Sequence, residues 1–103
     1  MTSKRKVESP IGMRLREARE REGISQKQLG ILAGIDQFAA SPRINQYEQD
    51  KHAPDFTTAK RLAEVLSIPV TYFYADDDEM AEFILLFACA NKRKRTEIKQ
   101  LLS

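Results

Sequence analysis

The interval between Gly23 and Gly34 limits the architecture of this chain more than any other stretch. It opens on Ser25-Gln26-Lys27-Gln28, a capping box. The Ser25 hydroxyl can accept from the Gln28 N–H, and the Gln28 amide can reach back to the Ser25 N–H. Ile24 before the cap and Leu29 after it form a hydrophobic staple, and Leu32 and Ala33 continue the apolar face until Gly34 stops the helix. A helix of about eight residues cannot stand alone in water. It must be held by packing, and its neighbours are also helical.

Ile11, Leu15 and Ala18 recur at helical spacing and predict a first helix over Gly12–Glu22, with Gly23 tolerating a left-handed end. Pro42 is welcome as a first helical residue, so Ser41 reads as the cap of a third helix, Pro42–Glu48. Asp55 caps a fourth, with Ala59, Leu62, Ala63 and Leu66 on one face and Pro69 beyond its end. Val70–Tyr74 forms a short fifth turn that closes the core. No segment alternates in the manner of a strand. The fold class is all-α: a five-helix domain with a C-terminal helical extension.

Three regions follow: a flexible basic arm over 1–10, a helical domain over 11–75, and a helical tail over 76–103. Residues 1–75 hold twelve Lys/Arg against nine Asp/Glu, whereas the tail opens on the acidic run Asp76-Asp77-Asp78-Glu79. The basic surplus therefore sits on the first domain. The longest apolar run, Phe83–Ala90, is far below the roughly 20 residues of a membrane span. A single cysteine, Cys89, has no internal disulfide partner, and one histidine leaves no Cys/His metal cluster. These features suit a cytoplasmic chain with no metal, no cofactor and no membrane contact. Cys89 reads as a small buried hydrophobe, and Lys92-Arg93-Lys94-Arg95 as a solvated helix face. There is also no Ser/His/Asp set and no phosphate-cradling glycine loop, so enzymatic function is the poorest reading.

Two short helices, each opened by a serine, lie between a basic first helix and an apolar fourth. Helix-turn-helix proteins place the second of two such helices in the major groove, with its N-terminal side chains at the base edges. Ile44 and Tyr47 face inward on the third helix, which turns Arg43, Asn45 and Gln46 outward. Arg pairs with guanine, and Gln or Asn with adenine, through two hydrogen bonds each. These three are the candidate base contacts. Gln26, Lys27, Ser41, Lys51, His52 and Arg14 are the candidate phosphate contacts, which set register without reading sequence.

The chain also resembles a known family. Ile11-Gly12-Met13-Arg14-Leu15-Arg16, Arg19 and Gly23-Ile24-Ser25-Gln26-Lys27-Gln28-Leu29 look like the opening of Cro/XRE-type repressor domains. The resemblance resumes at Ala33-Gly34-Ile35, Ile44 to Glu48, Pro54-Asp55 and Leu62–Ile68, and it spans residues 11–74. It implies a DNA-binding transcriptional regulator, with Gln26 on a phosphate, Gln46 reading a base, and Arg19 paired with Glu48 as a structural bridge. Two departures stand out. Asp36–Ser41 lengthens a turn that is normally about 3–4 residues, and brings Phe38 into it. Asp50 replaces the glycine common after the third helix.

In the tail, Met80, Phe83, Ile84 and Phe87 form an apolar stripe that either folds onto the core or meets a second copy. The leading reading is a repressor that binds double-stranded, near-palindromic operator DNA as a homodimer. The competing one is an antitoxin or adapter whose main role is to bind a partner protein through that stripe.

Overall fold

Side-chain caps set most of the helix starts. Ser25 Oγ accepts from Gln28 N at 3.0 Å, Asp55 Oδ1 from Thr58 N at 2.8 Å, and Asn91 Oδ1 from Lys94 N at 2.8 Å. Asp77 accepts from both Glu79 N and Met80 N. Each of these bonds satisfies a donor that the first turn of a helix leaves unpaired. The structure, a computed structural model, describes residues 9–103. The basic arm, with Lys4, Arg5 and Lys6, lies outside the described residues except for its last two positions.

Among the described residues the elements are α1 (Ile11–Glu22), α2 (Gln26–Leu32), α3 (Ala40–Glu48), α4 (Phe56–Val65), a 3₁₀ helix (Val70–Tyr74), α5 (Asp78–Cys89) and α6 (Lys92–Leu102), with no strand. Gly23 takes φ 70° at the end of α1, and its N–H and that of Ile24 close back onto Glu20 and Arg19. Gly34, at φ 93°, turns the chain out of α2.

The third helix starts earlier than the sequence implies. Ser41 is not its cap: α3 begins at Ala40, and Arg43 N donates to Ala39 O at 2.9 Å as its first closing bond. Pro42 falls at the third helical position, where the N–H it lacks would have had no partner anyway. Asp36 organises the approach instead, with its carboxylate accepting from Phe38 N at 2.9 Å and its carbonyl from Ala39 N at 2.9 Å. At the other end, α4 stops at Val65, ahead of Pro69, where Ser67 takes φ 58°.

Leu15, Leu29, Ile44, Leu62, Leu66 and Phe73 are fully buried and draw on every element from α1 to the 3₁₀ helix. Burying a side chain of this size stabilises by about 1.5–3 kcal/mol. Two helix contacts are closer than side chains allow. A Cβ on Gly30 would lie 2.7 Å from Ala40 Cβ, and one on Gly12 would lie 2.8 Å from Glu48 O. Those two glycines let α2 and α1 approach the backbone of α3 and so fix its direction.

The tail is attached differently. Only Ala81 of α5 is buried, and α6 buries no residue at all. Arg95 joins the two helices. It donates to Phe87 O at 3.0 Å and Ala88 O at 2.8 Å, and its guanidinium sits 5.0 Å from the Phe87 ring centroid. The basic run is therefore not simply a solvated face, because Arg95 satisfies carbonyls that the end of α5 leaves free. Cys89 is exposed rather than buried.

Candidate nucleic-acid interface

The site is built around Glu48, the last residue of α3, whose side chain is 2% exposed. Arg19 of α1 meets it with two bonds, Nε to Oε2 at 2.6 Å and Nη2 to Oε1 at 3.1 Å. The third arm of the same guanidinium, Nη1, donates to Ile24 O at 2.9 Å, just before the α2 cap. Arg19 thus fastens α1 to both ends of the α2–α3 unit. Its hydrogen bond to Glu48 outweighs the cost of burial and holds its pKa above the ordinary arginine value.

Gln26 completes this cluster. Its Nε2 donates to Glu48 Oε1 at 3.0 Å and to Asn45 Oδ1 at 3.2 Å. The first residue of α2 is thereby held against the middle of α3. Asn45 is exposed but uses its carbonyl oxygen on this internal bond, which leaves its NH₂ group turned to solvent.

On the outer side of α3, Arg43 is exposed and Gln46 half-buried, and both line a shallow cleft of about 270 Å³ with Tyr47, His52 and Ala53. The following loop folds back on this face. Gln46 O accepts from Lys51 N at 2.9 Å and from His52 N at 3.4 Å. Asp50 makes that return by taking φ 60°, the left-handed conformation that an aspartate tolerates better than most residues. Arg43, Gln46 and His52 therefore share one polar surface, and the exposed Lys51 is tied to it through its backbone. Lys27 is exposed on the first turn of α2. Ser41 is half-buried in the first turn of α3.

Arg14 does not belong with these residues. Its side chain is 3% exposed, and Nε donates to Ala75 O at 2.9 Å. Nη2 lies 3.1 Å from Asp78 Oδ1, off the line of a hydrogen bond, and the guanidinium is 5.7 Å from the Tyr72 ring centroid. It is an internal clamp on the segment leading to α5, too buried to reach a phosphate. The tail stripe is divided: Ile84 and Phe87 are half-buried, whereas Met80 and Phe83 are exposed. The Phe83 and Phe87 rings stack at 6.0 Å. With Pro69, Thr71, Ala88 and Arg95 the stripe lines an apolar groove of about 420 Å³.

A family model described as helix-turn-helix matches residues 15–73, more than half of the chain and the span from α1 to the 3₁₀ helix. The chain belongs to this family. As a helix-turn-helix protein of the Cro/XRE type, it sits among DNA-binding regulators of transcription. The HTH-type transcriptional regulators PuuR of Escherichia coli (strain K12) and of Shigella flexneri are each 31% identical to it over 71 residues. That match covers 69% of this chain but only 36% of each regulator, so the chain spans about a third of the length of these curated relatives. The crystal structure of transcriptional regulator BswR is similar at a TM-score of 0.83 and 45% identity, over 88% of this chain and 90% of that one.

Within this helix-turn-helix, the Arg19–Glu48 bridge is present as the resemblance implies. Gly12, Gly30 and Asp36 carry positioning roles that sequence reading missed. A glycine inside a predicted helix, such as Gly30 between Leu29 and Leu32, is the one signal that could have pointed to a close helix contact.

Proposed function

We propose that the chain is a sequence-specific transcriptional repressor that occupies a near-palindromic operator as a homodimer. The observation that carries this reading is the locked pose of α3. Arg19, Gln26 and Glu48 fix it against α1 and α2, and its outer face presents Arg43 and Gln46 beside Lys51 and His52. In the major groove, Arg43 pairs with guanine and Gln46 with adenine, and Asn45 offers its free NH₂ group to an acceptor. Lys27, Lys51 and His52 neutralise or bond phosphates, with Ser41 beside them, and set the register. Gln26 supports this from within, and turns its amide to a phosphate when DNA displaces its bond to Asn45.

Residues 11–75 form the reading domain and 76–103 the assembly tail, with 1–10 as a basic arm. A single short recognition helix gives limited affinity, and two copies reading half-sites one turn apart supply the rest. The occupant of the groove at Met80, Phe83, Ile84 and Phe87 is a second copy of the chain. The α6 edge, with Leu101 at 85% and Leu102 at 73% exposure, is covered by no core among the described residues. A tail with an open groove and an uncovered apolar edge can satisfy both in a symmetric pair.

Selection of bound sequences from a random duplex library, with excess competitor, tests the reading. The expected product is a two-fold-symmetric site with half-sites about 10–11 base pairs apart. Absence of any enriched site, together with capture of a protein partner by the same tail, would favour the adapter reading instead.

A further inference from the structure

The most exposed aromatic side chain in the fold lies at the entrance to the recognition helix. Phe38 is 84% exposed, in the turn that runs into α3 two residues before its first helical position. Singly exposed apolar residues are ordinary on protein surfaces. Phe38 differs in how firmly its backbone is held. Its N–H is bonded to the Asp36 carboxylate, the Ala39 N–H returns to Asp36 O, and Ala40 is fully buried against Gly30. The ring is therefore presented from a fixed platform, with little backbone freedom left to lose on binding. The N-terminal end of a recognition helix is the end that meets base edges, so the platform stands at the mouth of the groove.

We infer that Phe38 is a specificity residue that reads a thymine through its C5-methyl group. This rests on the DNA-binding reading above. Phenylalanine has no hydrogen-bonding group, so it cannot read the polar pattern of a base edge. In the major groove the thymine methyl is the apolar group available to it. Phe38 thereby adds one position to the site read by Arg43 and Gln46, at the edge nearest the start of α3. The longer turn brings an apolar reader to a place from which a shorter one would not extend.

The test uses the full chain and the duplex obtained by selection. Each thymine of one half-site is replaced in turn by deoxyuridine, which removes only the methyl group, and binding is measured for the wild type and for Phe38→Ala. The side chain is exposed, so Phe38→Ala should melt at the wild-type temperature. One thymine per half-site should weaken wild-type binding by about fourfold when demethylated, the worth of one buried methyl group. Phe38→Ala should bind the unmodified duplex about sixteenfold more weakly, by loss of the contact in both half-sites, and be indifferent to that demethylation. Unchanged affinity of Phe38→Ala, or a methyl effect that persists in it, would overturn the inference while leaving the DNA-binding reading intact. Should the wild type select no sequence at all, both fall together. Demethylation of the wild-type complex needs no variant, so a flat response across every thymine overturns the inference by itself.

Discussion

Glu48 is charged, nearly inaccessible, and yet fully engaged, because Arg19 and Gln26 supply three hydrogen bonds to its two oxygens. Removing one partner of such a pair strands the other, which costs about 3 kcal/mol. Arg19→Met is accordingly expected to lower the melting temperature sharply, and Glu48→Gln to do so less, since an amide can still accept one of the bonds. Calorimetric melting of both variants checks this. Because the pairing raises the arginine pKa, its contribution is complete at every pH below the ordinary arginine range and fades only above it, so the bridge is constant across the physiological range. This pair was legible from sequence because Arg19 and Glu48 fall in the motifs that resemble the family. Arg14 was not legible. It sits in the same basic helix as Arg16 and Arg19, and its burial arises from Ala75 and Asp78, more than sixty positions away in the chain.

At the level of the element, each cap and each close contact makes its own forecast. Asp55 opens α4, and its bond from Thr58 N holds its pKa below the ordinary value of 3.8. A carboxylate depressed in the folded state contributes above its unfolded pKa and loses that contribution as pH falls through the folded value. Asp55→Ala should therefore lower the melting temperature at neutral pH, and the gap from the wild type should narrow below pH 3.8. Thermal scans at neutral and acid pH measure both arms. Gly30→Ala addresses the other kind of contact. The added Cβ meets Ala40 Cβ at 2.7 Å, and α2 and α3 must separate at a cost of about 1–3 kcal/mol. It should lose affinity for DNA as well as stability, because the start of α3 is what moves. Caps are local features, so Ser25 and Asp55 could be read from sequence. The start of α3 could not, because proline fits any position of a first turn, and only the packing of Ala40 on Gly30 selects the third.

Across the whole molecule, the helix-turn-helix and the two C-terminal helices obey different rules. From α1 to the 3₁₀ helix every element contributes to one core, whereas α6 contributes nothing to it. The all-helical class and the helix-turn-helix were legible because they rest on periodicity and on turn chemistry. The angle between α5 and α6 was not, since it depends on Arg95 reaching back to Phe87 O and Ala88 O. The exposed apolar groove of the tail leads to a forecast about assembly. Phe83→Asp places a charge in that groove and should shift the sedimenting species from dimer to monomer, with weaker operator binding. A monomeric wild type would remove the basis for a two-fold operator.

Whether the outer face of α3 reads sequence is decided by a pair of dissociation constants at near-physiological salt. One is taken on the selected duplex and one on a scrambled duplex, for the wild type and for Gln46→Ala. The wild type is expected to prefer the selected duplex by at least about a thousandfold. Gln46→Ala should lose about 1–3 kcal/mol on that duplex and nothing on the scrambled one. Equal losses on both duplexes would make Gln46 a positioning contact and rule out base reading by it.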